Sequence, residues 1–146
     1  MTPFRAALAA LVCLGVCASA LAHHSIAMFD NENSAVLTGT VQAFHWQNPH
    51  CLLVLDAATV TNTVGQAEPD KAGVWSVELH STAIMMRRGF TKDYFKPGDR
   101  VTVTGGRMRD GSKMIRLFNG TKADGTPFYG DDFRPESTGN NLPPPK

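Results

Sequence analysis

Apolar and polar residues alternate along several short stretches of this chain, as they do in β-strands that bury one face. The first such stretch covers residues 35–46, and Gly39 in its middle predicts a sharp bend. Residues 50–55 predict a second strand with apolar side chains on both faces, which is typical of a covered central strand. Residues 74–79 predict a third, again alternating, strand, and the polar segment at 56–73 predicts a long flexible loop before it.

The second half of the chain predicts a short helix followed by two further strands. Ser81 or Thr82 can cap a helix over residues 83–88, and Gly89 follows as a helix stop. The elements expected after it are a Lys-Pro-Gly-Asp turn at 96–99, a strand at 100–104, an Asp-Gly turn at 110–111, a strand at 113–118 and a small hairpin that includes 127–129.

The order of these elements indicates the fold class. Three strands, a helix and two strands follow one another in OB-type barrels, in which five short strands close into a Greek-key barrel. We therefore expect an all-β fold with one short helix, in the form of a small OB-like five-stranded barrel. An open meander sheet with one helix is the alternative.

The first 22 residues have the pattern of a secretory signal peptide. Arg5 supplies the positive start, residues 6–18 are almost wholly apolar, and small residues at Ala20 and Ala22 fit a cleavage site. The apolar segment is too short to span a bilayer as a helix. The sequence thus predicts a signal peptide over 1–22, a barrel domain over 23–130, a disordered Pro-, Gly- and Asn-rich tail over 131–146, and a periplasmic or secreted product with no membrane span.

Cleavage after Ala22 changes the charge and cysteine content of the chain. Of the 14 basic residues only Arg5 is lost, so 13 remain against 13 acidic residues. A balance of this kind disfavours nucleic acid, whose binders carry a basic excess. Cys51 is then the remaining cysteine, so no internal disulfide can form. A small molecule, a glycan or an envelope protein is the expected partner.

Two motifs point to a family. The sequence His-His-Ser-Ile-Ala-Met-Phe-Asp occupies residues 23–30, and Trp-Gln-Asn-Pro-His occupies residues 46–50. With these motifs the chain resembles a family of small exported bacterial proteins classed as domain of unknown function 6152. The resemblance extends from His23 to about Gly125; it implies export and a small β-barrel, and it implies no activity, substrate or cofactor. His80 is outside the family pattern.

The two histidines after the leader predict a metal-binding N-terminus. With His23 as the first residue, its α-amine and imidazole can chelate Cu(II), and His24 can add a second imidazole. Cleavage after Ala20 instead would place His23 third, where its imidazole, the amine and the backbone nitrogens also bind Cu(II). Copper leads the affinity order of the divalent metals. The alternative is that both histidines are structural.

A second candidate cluster contains His50, Glu78 and His80. Glu78 and His80 are two residues apart on a strand, so both side chains leave the same face, and His50 lies near them if the second and third strands pair. Imidazole and carboxylate suit zinc, copper or iron. A surface ion pair is the alternative. Cys51 should point to the opposite face and be buried. The candidate metal ligands are His23, His24, His50 and Glu78.

The sequence contains no motif for catalysis. It has no nucleophile elbow and no paired-carboxylate motif, and Gly105-Gly106 does not open a helix as a phosphate loop would. We therefore expect a non-catalytic binding or accessory domain. The alternative is a periplasmic copper-binding protein that uses His23, His24 and His50, and a metalloenzyme on that site is the third hypothesis.

Overall fold

The computed structural model describes residues 26–130, in which six strands, one short α-helix and two 3₁₀ turns follow one another. The 3₁₀ turns span Ile26–Met28 and Pro69–Lys71, and helix α1 spans Thr82–Arg87. The strands are β1 (Phe29–His45), β2 (Leu52–Asn62), β3 (Gly73–Glu78), β4 (Arg100–Met108), β5 (Met114–Lys122) and β6 (Pro127–Tyr129). The all-β class with one short helix is confirmed. The strand count is six instead of five, because residues 127–129 pair with residues 119–121 of β5.

Strand β2 is longer than the sequence predicts. It continues to Asn62, so the prediction of a flexible loop starting at Asp56 was wrong for this part. Ala57 and Val60 are almost fully buried, and Val60 pairs with Leu37 of β1. Ala57 and Val60 thus bury the extension of β2 against the core. Two apolar residues among polar neighbours give too weak an alternation for a strand to be predicted from the sequence. The predicted leader and tail lie outside the described residues.

Strand β1 is the centre of the sheet because it pairs antiparallel with both β2 and β4. Strand β3 pairs antiparallel with β2, β5 with β4, and β6 with β5. Strands β3 and β5 also pair in parallel, through residues 76–78 and 114–116. The pairings therefore run in a ring from β1 through β2, β3, β5 and β4 back to β1.

Gly39 lies where the register between β1 and β2 shifts. A Cβ atom at this position would lie 2.1 Å from the backbone carbonyl oxygen of Asp56, which no side chain tolerates. The bend predicted at Gly39 therefore coincides with an irregular and very close approach of the two longest strands.

The interior is apolar, with inward faces that the alternation predicts. Trp75 on β3 and Val103 on β4 are almost fully buried, as expected. Met85 of α1 is fully buried, and Phe95 packs edge-on against Phe128 with 5.1 Å between ring centres. The helix and the loop after it thus belong to the same core as the sheet.

Candidate functional site

The candidate site begins where the β1–β2 connection meets the end of β3. Leu52 pairs with Glu78 in the β2–β3 register. Beyond that pair, the Cys51 amide donates to the His80 carbonyl at 3.0 Å, and the Leu79 amide donates to the Cys51 carbonyl at 2.9 Å. These bonds continue the antiparallel pairing past the strand ends. They bring His50, which lies just before β2, next to His80, which lies just after β3.

His50 and Glu78 form a close pair. The His50 Nδ1 atom lies 3.0 Å from Glu78 Oε1, and the side chains are 31% and 7% exposed, respectively. The Nδ1 atom itself is buried and has no well-aligned hydrogen bond among the described residues, so the contact is one of proximity and charge. The pairing of His50 with Glu78 that the sequence predicts is therefore present, with the carboxylate buried and part of the imidazole ring at the surface.

His80 extends this pair along the surface. Its ring lies parallel to that of His50, with 6.1 Å between ring centres and an interplanar angle of 15°. We call His50, Glu78 and His80 the histidine end. Two neighbouring imidazoles, one of them in contact with a buried carboxylate, offer hydrogen-bond donors and acceptors on one small patch.

Arg116 is a member of this neighbourhood that the sequence analysis missed. It is the register partner of Glu78 in the parallel β3–β5 pairing, and it is almost fully buried. Ile115 and Leu117 on either side are buried in the core, so Arg116 leaves the opposite, outer face of β5, as Glu78 does on β3. A cationic strand neighbour beside a buried carboxylate lowers the electrostatic cost of burying it.

Asn48 has a role that the sequence could not show. Its Oδ1 atom accepts hydrogen bonds from the Thr82 amide at 3.1 Å and the Thr82 hydroxyl at 3.0 Å. Ser81, in the N-cap position of α1, makes no such side-chain bond, so Asn48 caps the helix from a distant part of the chain. An asparagine before a proline is also common where a turn begins, so the sequence does not indicate this cap. The bond fixes the His50 connection against α1.

Cys51 is buried, as predicted. Its side chain has no exposed surface, and its thiol donates to the Gln47 carbonyl at 3.7 Å. Burial raises the pKa of the Cys51 thiol above its ordinary value. The thiol therefore belongs to the interior and not to the set of groups that the histidine end presents.

The predicted metal set is only half within the described residues. His50 and Glu78 are brought together, whereas His23 and His24 lie outside residues 26–130. Over the described range, no group of three or more His, Cys, Asp or Glu side chains is arranged to hold a metal ion. Whether the N-terminal histidines complete such a site stays a prediction.

Comparisons with known proteins give the chain a family without a function. A family model described as "Family of unknown function (DUF6152)" matches residues 10–116. No curated protein and no solved structure matches the chain. In residues 26–130, no helix is long and apolar enough to cross a membrane. These comparisons give no residue of the chain a role.

Proposed function

The chain belongs to the DUF6152 family of unknown function, and from the geometry above we propose that it is an exported, non-catalytic binding domain. The proposal of export rests on the leader at residues 1–22, with its charged start, apolar middle and small residues before His23. The expected location is the periplasm or the exterior, and the expected ligand is a molecule found there.

The strand pairings support an OB-like barrel as the scaffold. The ring through β1, β2, β3, β5 and β4 and the helix between β3 and β4 agree with the element order of that fold. Barrels of this type bind oligosaccharides or oligonucleotides on one face. Because one fold supports many functions, the choice of ligand must come from the site.

The observation that carries the proposal is the contact between His50 and the buried Glu78. A carboxylate removed from water costs free energy unless other groups compensate it, and here the compensating imidazole reaches the surface. The Glu78 carboxylate contacts the Nδ1 side of the His50 ring, and the exposed part of the ring is available to a ligand. A neutral glycan suits this patch, since its hydroxyl groups can form hydrogen bonds with both imidazoles.

One feature favours copper binding as a second candidate function. A carboxylate next to one ring nitrogen of a histidine orients the other nitrogen toward a metal, as the second shell does in many metal sites. The parallel His80 ring adds a second imidazole nearby. In this version His23 and His24 supply the remaining ligands, so the site forms only on the mature chain with a free N-terminus.

The test uses the mature protein recovered after export, with its N-terminus determined by intact mass. Ring signals of nitrogen-15-labelled histidines are followed while chitotetraose, a neutral oligosaccharide, is added, and Cu(II) and Zn(II) are titrated separately by calorimetry. Shifts of the His50 and His80 rings with chitotetraose, lost in Glu78→Gln, support the binding domain. One-to-one metal binding that weakens about tenfold or more in His50→Ala supports the copper function instead.

The matched control is His45→Ala, because His45 is an exposed histidine at the end of β1, close in sequence to the site. Its loss should leave both titrations unchanged. Metal binding that is equal in wild type, His50→Ala and His45→Ala would mean that only the N-terminal peptide chelates, and this would overturn the copper function. No response of either histidine ring to the oligosaccharide would overturn glycan binding.

A further inference from the structure

A second polar region lies at the start of β3, at the other end of the strand from Glu78. A cavity of about 410 Å³ opens there between the start of β1, the end of β4 and the Pro69–Lys71 turn. A cavity of this size accommodates a small organic molecule. We call it the arginine cavity, and the lining residues that matter here are Asp30, Glu68, Lys71, Trp75, Arg107 and Arg109.

The lining carries an excess of positive charge. Three cationic side chains face two carboxylates, which leaves one net positive charge. Glu68 is bound by Arg107, and Asp30 lies 3.7 Å from Arg109 Nη1. Lys71 has no carboxylate partner among the described residues. A singly charged anion would therefore neutralise the cavity, whereas a dianion would overcompensate it.

Arg107 points to the same kind of ligand. Its side chain is 13% exposed, one terminal nitrogen binds Glu68, and its Nε–H is buried with no acceptor among residues 26–130. A buried donor without an acceptor is costly, and a guanidinium binds carboxylates best when two of its N–H groups are used together. The Nε atom has no accessible surface of its own, so a ligand carboxylate that binds Arg107 from the cavity would satisfy the Nε–H only with a small shift of this side chain.

The turn that carries Glu68 and Lys71 is held in place before any ligand binds. The Trp75 indole N–H donates to the Lys71 carbonyl at 2.9 Å, and the Lys113 ammonium donates to the Ala72 carbonyl at 2.6 Å. On the other side, the Glu68 amide donates to the Val60 carbonyl at 2.8 Å. Binding therefore need not order this turn, and pre-organised sites lose less free energy on association.

From the charge balance, the unsatisfied guanidinium and the rigid turn, we propose that the arginine cavity binds a small organic monoanion through its carboxylate, with a sugar acid of hexuronate size as the ligand class. Arg107 and Lys71 hold the carboxylate. Asp30 accepts hydrogen bonds from the hydroxyl groups of the sugar acid, and the other polar residues at the rim of the cavity form further hydrogen bonds with them. This site is separate from the histidine end and does not depend on the function proposed there.

The test is a nuclear magnetic resonance titration of the mature, nitrogen-15-labelled protein with D-galacturonate. The chain has 2 tryptophans, so the Trp75 indole N–H reports on the cavity and the Trp46 indole N–H serves as an internal control. D-galactose is the matched neutral probe, because it has the same ring without the carboxylate. Galacturonate should shift the Trp75 signal, bring the Arg107 Nε–H signal into a hydrogen-bonded position, and leave Trp46 unchanged.

The variants test the two proposed carboxylate ligands separately. Arg107→Lys keeps the charge but loses the two-pronged donor, and should weaken galacturonate binding about tenfold or more. Lys71→Gln removes a side chain with no ion pair, so it should fold normally and weaken binding roughly threefold to tenfold. Lys92→Gln, which changes an exposed lysine outside the cavity, should bind as the wild type does.

Any of the following results would overturn the proposal. One is a Trp75 shift of equal size with galactose, since the carboxylate would then be irrelevant. Another is equal or tighter binding of inorganic phosphate at the same signals, which would indicate a site for small inorganic anions. The third is unchanged galacturonate affinity in Lys71→Gln or no response of Trp75 at all. None of these results bears on the histidine end.

Discussion

The histidine end and the arginine cavity lie at opposite ends of β3, and they bury opposite members of their acid–base pairs. At the histidine end the carboxylate of Glu78 is buried and the imidazole of His50 is at the surface. In the arginine cavity the guanidinium of Arg107 is the more buried member, and Glu68, at 27% exposed, is nearer the solvent. The charge that a ligand meets therefore differs. A ligand meets imidazole rings at the histidine end, and guanidinium and ammonium groups in the arginine cavity.

The largest effect is expected at Trp75, the β3 residue that lines the arginine cavity. Trp75→Ala removes a buried indole and the anchor of the Lys71 carbonyl, and should lower the free energy of unfolding by about 3–5 kcal/mol. Trp75→Phe keeps most of the ring and loses the N–H donor. The lost hydrogen bond should lower the free energy of unfolding by about 1 kcal/mol, in addition to any loss of packing. Urea denaturation measures both. A cost below about 1 kcal/mol for the alanine variant would contradict the packing described here.

The second prediction concerns substitution of each partner, in turn, in the His50–Glu78 and Arg107–Glu68 pairs. Removing the more exposed partner takes away a group that compensates the buried charge, so it should cost more than removing the buried member. We expect His50→Phe to lower stability by about 1–3 kcal/mol and Glu78→Gln by less. Correspondingly, Glu68→Gln should cost more than Arg107→Met.

Urea denaturation of these four variants under one buffer checks the order within each pair. The comparison between the two regions is wrong if substitution of the buried partner lowers the free energy of unfolding more than substitution of the exposed partner. In that case the buried groups would contribute through packing or other contacts, and the acid–base pairing would not be what determines their stability.

Asn48 gives a smaller effect, which is specific to the histidine end. Asn48→Ala removes both hydrogen bonds to Thr82 and leaves the first turn of α1 without its cap, so it should cost about 1 kcal/mol. Asn33, an exposed asparagine at the arginine cavity with no such bond, is the control, and Asn33→Ala should change stability by less than about 0.5 kcal/mol. Thermal denaturation distinguishes the two. Equal effects would mean that Asn48 does not act as a cap.

The sequence predicted the histidine end better than the arginine cavity for a physical reason. Glu78 and His80 share a face because strand side chains alternate, and His50 joins them if successive strands pair, which is a local rule. The arginine cavity draws its lining from separate segments between Asp30 and Ser112, so no motif or spacing marks it. Only the closed set of strand pairings brings those segments together.

The same limit applies to single contacts. The bond from Asn48 to Thr82 joins residues 34 positions apart, and a turn accounts for an Asn-Pro pair equally well in the sequence. The length of β2 was missed because Ala57 is small and Val60 is isolated among polar residues. By contrast, the buried face of β3 carries large apolar residues at every second position, and its prediction is confirmed.

Cys51 provides the prediction with the smallest effect, because modification of this residue tests orientation without changing the chain. Cys51 is buried whereas His50 beside it is partly exposed, so the two side chains leave the chain before β2 in different directions. Burial also raises the pKa of the Cys51 thiol, so the reactive thiolate is scarce in the folded chain at a pH where the unfolded chain releases the proton.

We expect Ellman's reagent to react with the urea-unfolded chain at mildly alkaline pH and to leave the folded chain unmodified. Raising the pH toward the ordinary thiol value should speed the first reaction far more than the second. Rapid modification of the folded chain would place the thiol at the surface and turn His50 toward the core, which is incompatible with the site proposed at the histidine end.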